Sequence, residues 1–154
     1  MQIAKELIQM AKIFCNVDAV KFQKRHNKEL LTEEQYNKPH PNPANSYGDT
    51  YGAHREFLEF DVSQHKSLKE FCESIDITYS TSVWDLTSAK EISSLHPEFI
   101  KIPSACNNNV EMLEWLCDNY EGELHISTGM TTKSEIEDLV NLFKSKNRNK
   151  NRNE

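Results

Sequence analysis

Short apolar strands alternating with helix-period segments predict an α/β fold of about four parallel βα units in this 154-residue chain. Polar residues gathered at the C-terminal ends of those strands mark the end of the sheet where function is expected. The length admits one domain and excludes a complete (β/α)8 barrel, which needs about 250 residues. Half of such a barrel and a small open sheet both stay open on this pattern alone.

The elements follow in order. Ile3 to Phe14 carries Ile3, Leu7, Ile8, Met10, Ala11 and Phe14 near the 3.6-residue period of an amphipathic helix, with Asn16 as its stop. Asp18 to Gln23 reads as a strand, Val20 and Phe22 on one face and Ala19, Lys21 and Gln23 on the other. From Lys24 to about Ala53 the chain reads as a long polar connection containing Pro39, Pro41 and Pro43, with a short helix near Leu30 to Asn37. A helix is expected over about Ser63 to Ser74, a strand over Ile77 to Thr81, and a helix over Thr87 to Leu95. The strand Phe99 to Ile102, the helix Val110 to Asn119 and the strand Glu123 to Ser127 follow. The last helix, about Lys133 to Phe143, opens on Thr132-Lys-Ser-Glu135, a capping-box pattern.

With 37% hydrophobic and 27% charged residues the chain can build a core, which excludes global disorder. Four scattered cysteines (Cys15, Cys72, Cys106, Cys117) lack the density of a disulfide scaffold and the Cys-x-x-Cys spacing of a zinc ribbon. No run approaches the roughly 18 apolar residues of a membrane span, and Met1 leads into an amphipathic stretch, so a cytoplasmic protein with no membrane partner is expected. The net charge of -6 disfavours nucleic acid as a partner. Charge is uneven, however. From Lys144 onward there are five basic residues and one acid, with no apolar residue after Phe143, so residues 144–154 are expected to form a disordered basic tail behind a domain at residues 1–143.

Lys21 and Gln23 end the first strand, Ser80-Thr81-Ser82 the second, Lys101 with Ser104 the third, and Ser127-Thr128-Gly129 the fourth. Ammonium groups, short hydroxyl donors and a glycine turn before a helix are what a phosphate or carboxylate requires. The six histidines (His26, His40, His54, His65, His96, His125) show no metal-ligand spacing. His54 reads as a surface histidine, His125 as a buried hydrogen-bonded one on the face of Ser127, and Trp84 and Trp115 as core or interface aromatics. Nothing marks Cys106 as a low-pKa nucleophile.

The strings Ala19-Val-Lys-Phe-Gln23, Thr50-Tyr-Gly-Ala-His-Arg-Glu-Phe-Leu-Glu-Phe60, Phe99-Ile-Lys-Ile-Pro-Ser-Ala105 and Ile126-Ser-Thr-Gly-Met130 resemble, in order and spacing, the N-acetylneuraminate (sialic acid) synthase family. The resemblance spans about Ile3 to Phe143 and implies strands two to five of an eight-stranded TIM barrel. It implies condensation of phosphoenolpyruvate with N-acetylmannosamine or a related N-acetylated amino sugar, assisted by manganese or magnesium. By position it implies substrate contacts at Lys21, Gln23, Thr81, Lys101, Ser104, Asn107, Ser127 and Gly129. The family's metal-binding histidines match nothing in this chain, and Ala105-Cys106 stands where a Gly-acid pair is common. The chain therefore reads as an incomplete synthase fragment. The alternative is a non-catalytic, truncated or partner-dependent half-barrel, homo-oligomeric or completed by a second polypeptide, that keeps a phosphate- and carboxylate-binding surface. A basic nucleic-acid arm on a phosphate-binding domain is a third, weaker reading.

Overall fold

The computed structural model describes residues 1–146. Four strands, β1 (Ala19–Lys24), β2 (Thr78–Val83), β3 (Phe99–Ile102) and β4 (Glu123–Ile126), form one sheet in the order β1-β2-β3-β4, every pair parallel. Helices α1 (Gln2–Cys15), α5 (Val62–Ser74), α6 (Leu86–Ser93), α7 (Val110–Asn119) and α8 (Lys133–Ser145) precede, separate and follow the strands. This is the α/β arrangement of a partial TIM barrel.

Alternation along each strand sorts the side chains. One face turns Tyr79, Val83, Ile100 and Ile102 toward the helices, where they pack in two clusters with Ile8, Leu68, Ile92, Met112, Leu113 and Leu116. Burying that face against helices leaves the other as the concave interior, and there the polar residues stand. Trp84 and Trp115 pack against the core from its margin, as expected.

Local chemistry sets the element ends. Asn16 adopts a left-handed conformation (φ 49°) that stops α1, a geometry Asn tolerates better than most residues. At α8, Thr132 and Glu135 form the reciprocal capping box that their spacing predicts. That helix runs to Ser145, two residues into the expected tail, and residues 147–154 lie outside those described.

The connection from Lys24 to Ala53 differs from the sequence expectation. It holds α2 (Asn27–Leu30), α3 (Glu33–Asn37), a 3₁₀ turn at Pro43–Asn45 and the start of α4 (Tyr51–Leu58). Short side-chain bonds replace hydrophobic periodicity as the ordering force. Thr32 and Gln35 cap α3 reciprocally, and the Ala53 N–H donates to the Thr50 hydroxyl at 3.1 Å to start α4. Gly52 lets α4 approach α3, since a Cβ there would fall 2.2 Å from the Tyr36 ring.

Asp85 ties this connection to the barrel units. Buried at 3% exposure, it accepts the Ser88 N–H on α6 and the His26 N–H at the end of β1, each at 2.7 Å. Asp85→Ala leaves both donors without the carboxylate. It is expected to cost about 2–4 kcal/mol in urea unfolding, from a lost cap plus a lost charge-assisted bond. A loss below about 0.5 kcal/mol would show that the carboxylate does not anchor the connection.

Candidate functional site

The concave face of the sheet carries Lys21 and Gln23 on β1, Ser80 and Ser82 on β2, Lys101 on β3, and Glu123 and His125 on β4. Register brings them together: Lys21 lies opposite Ser80, Gln23 opposite Ser82, Ser82 opposite Lys101, and Lys101 opposite His125. The Lys21 ammonium donates to the Ser82 hydroxyl at 3.2 Å. Lys21, Lys101, His125 and Ser127 line one cleft of about 360 Å³. A second cleft, of about 370 Å³, shares Lys21 and extends past Gln23 toward Glu59. Its wall is held by Arg25, whose Nε lies 2.5 Å from Glu59 Oε1 and whose backbone N–H donates to Oε2 at 3.2 Å.

Electrostatics identify what the first cleft suits. Partial burial lowers the Lys21 pKa, and repulsion from Lys101 lowers it further. Two like charges facing one cavity are relieved by an anion placed between them. The Ser127 hydroxyl adds a short donor to the same space, and the buried Ser82 hydroxyl holds the Lys21 ammonium.

Six of the expected residues gather at this end of the sheet. Lys21, Lys101 and Ser127 line the first cleft and Gln23 the second. Half-buried Ser104, in a 3₁₀ turn after β3, packs beneath Gly129, where a Cβ would stand 3.6 Å from the serine Cβ and Oγ. Gly129 thus serves as close cover over Ser104, within the turn that follows Ser127.

Asn107 and Thr81 do otherwise. Asn107 is 4% exposed, and its Nδ2 donates to the Ser127 carbonyl at 2.9 Å and the Thr131 hydroxyl at 2.6 Å. It braces the Ser127–Thr131 turn, so its effect on a ligand is through Ser127. Thr81 is absent from the concave face. It is fully buried on the helix side and donates to the Tyr79 hydroxyl, which is 2.7 Å from His65 Nδ1. The signal was present in the sequence: Thr81 lies two residues from both Tyr79 and Val83, whose apolar bulk belongs in the core, so strand alternation assigns Ser80 and Ser82 to the cleft.

His125 also departs from expectation. Its side chain is 46% exposed rather than buried, with the ring stacked on Phe99 at 4.4 Å and Nε2 3.0 Å from Glu123 Oε2. His54 lies on α4, stacked with Tyr47 and His40, where it accepts the Tyr47 N–H at 3.2 Å and orders the long connection. The Cys106 thiol is buried and its pKa raised, first by burial and then by Asp85, which makes it a poor nucleophile. Among the described residues no group of three or more His, Cys, Asp or Glu is placed to hold a metal ion. These residues do not fit a divalent metal, and the chemistry they support is anion binding.

Comparison with known proteins agrees with this geometry. The chain is 32% identical over 143 residues to N-acetylneuraminate-9-phosphate synthase of Drosophila melanogaster, covering 93% of this chain and 38% of that protein. It is 29% identical to the human protein of the same name (97% and 41%), and 30% identical to N,N'-diacetyllegionaminic acid synthase of Legionella pneumophila (94% and 40%). The chain thus spans about two-fifths of the length of these curated relatives. Its fold superposes on a crystal structure of N-acetylneuraminic acid (sialic acid) synthetase from Leptospira borgpetersenii in complex with citrate, with a TM-score of 0.75 at 24% identity, covering 95% of this chain and 46% of that one. The model of the NeuB family matches residues 7–152. The fold and the family match over nearly the whole chain agree, and the chain belongs to the NeuB family.

Proposed function

We propose that this chain forms the phosphoenolpyruvate-binding half of a sialic acid synthase-like enzyme, which condenses phosphoenolpyruvate with N-acetylmannosamine or a related N-acetylated amino sugar and releases phosphate. The observation that carries this reading is the convergence of Lys21 and Lys101 on one hydroxyl-lined cleft at the C-terminal end of a parallel sheet. Phosphoenolpyruvate carries a phosphate and a carboxylate on one three-carbon frame, a charge distribution matched by two ammonium groups. Gln23 and the adjoining cleft provide room and an amide for the polar acceptor sugar. Manganese or magnesium, where the reaction uses it, is held by residues other than those described. Three of the four cysteines, Cys72, Cys106 and Cys117, are buried, and no described helix is long and apolar enough to cross a membrane.

Calorimetric titration with phosphoenolpyruvate tests the reading. Lys101→Ala is expected to weaken binding by about 1.5–3 kcal/mol, roughly a 10- to 150-fold rise in Kd, the range for a hydrogen bond to a charged group. Equal affinities would remove Lys101 from the site.

The second reading, a half-barrel that needs a partner, is favoured by α1. This helix exposes Ile3 (72%), Leu7 (62%), Met10 (54%), Ile13 (62%) and Phe14 (77%) as an apolar stripe, and the neighbouring strand β1 is paired on one edge within the sheet. A stripe of that kind marks a contact surface, and further barrel units, from the same or another polypeptide, would cover it.

A further inference from the structure

Lys21 and Lys101 share their cleft with a third nitrogen-bearing side chain. His125 lies in the same cleft, one register step from Lys101 across the β3–β4 pair. Its ring is held on two sides. Phe99, opposite Glu123 in the ladder, stacks on the imidazole at 4.4 Å with planes 15° apart, and Glu123 Oε2 lies 3.0 Å from Nε2. A carboxylate at Nε2 holds the proton on that nitrogen and sets the ring's orientation. That leaves Nδ1 as the second site, able to take up a proton when an anion enters beside it.

We infer that the His125–Glu123 pair is a third, proton-dependent contact for the anion in this cleft, so that phosphoenolpyruvate binding is coupled to proton uptake at His125. The inference rests on the anion-site reading above and adds to it a residue and a pH dependence. The charged groups facing His125 are Glu123 on its own strand, Lys101 on β3 and, across the cleft, Lys21 on β1. A dianion bound beside the ring favours a proton on it, and reciprocity then requires that protonation of the ring tighten binding of the anion. Gln in place of His keeps a polar side chain of similar reach on this half-exposed strand position and removes the titration.

Two measurements on the full chain decide it. In an NMR pH titration of the wild type, the His125 ring resonance should titrate about one pH unit higher with saturating phosphoenolpyruvate than without, a tenfold change in proton affinity. By calorimetry, wild-type affinity should rise several-fold more between pH 8 and pH 6 than that of His125→Gln, which serves at each pH as the reference for the ligand's own titration. An unmoved His125 resonance, or parallel affinity profiles, would overturn the inference. If Lys101→Ala still lost affinity in that case, the anion-site reading would stand without it. A wild-type chain that binds no phosphoenolpyruvate at any pH would overturn both.

Discussion

Purified chain supplied with phosphoenolpyruvate, N-acetylmannosamine and manganese is expected to release no sugar-dependent phosphate. In the proposed site Lys21, Lys101 and Ser127 would hold an anion, which is ground-state binding, whereas rate acceleration needs groups whose interactions strengthen in the transition state. The described residues lack a metal-holding cluster, and Ala105-Cys106, with a buried high-pKa thiol, offers no carboxylic acid beside the cleft. One general acid or base is worth about 10²–10⁴-fold, so the combined deficit amounts to several powers of ten. The assay is phosphate release by the chain alone, then with a separately expressed polypeptide bearing the remaining barrel strands. Turnover by the chain alone would refute the expectation. Activity confined to the mixture would identify a complementing half-barrel, and silence in both would favour the non-catalytic reading.

The second large effect concerns stability in acid. His65 is fully buried on α5; its Nδ1 receives the Tyr79 hydroxyl, and its Nε2 lies among buried atoms with no hydrogen-bond partner. Burial, and after it the Lys24 charge, lower its pKa from 6.5 to about 4 against the opposing pull of Asp61. A depressed histidine pKa means that the unfolded chain takes up a proton more readily than the folded one. Its contribution is therefore intact above pH 6.5 and drains away as pH falls toward 4, where the loss reaches about 3 kcal/mol. Urea unfolding at pH 7 and pH 4.5 should show this fall in the wild type, and His65→Gln should flatten it while keeping an acceptor for Tyr79. Equal pH slopes in the two proteins would mean that His65 is not the acid-sensitive group.

His65 also shows how far sequence reasoning reached. As one of six unpatterned histidines it carried no signal, because its environment is assembled from β1, β2 and α5, with Phe22, Phe60 and Tyr79 around the ring. Thr81 differs. Its motif was recognised, yet membership of a motif does not state which face of the strand a residue occupies; the alternation with Tyr79 and Val83 does, and it places Thr81 toward the helices. His125 was assigned to the right face with the wrong burial, since the exposure of a concave-face residue depends on what stands across the sheet from it.

What the sequence determined by itself was whatever one element can encode. Apolar periodicity set the β3 and α7 spans, Asn16 and Thr132 placed their helix ends, and the ordered strings around Lys21, Lys101 and Ser127 identified the family. The short helix expected near Leu30 to Asn37 is present as α3, whereas α2 and α4 read as loop because they are too short for a hydrophobic period to outweigh their polar composition. Only the tertiary structure decided which strand-end residues meet. Parallel register brought Lys21, Ser82, Lys101 and His125 side by side on one concave face, because pairing across strands is not written within any single one.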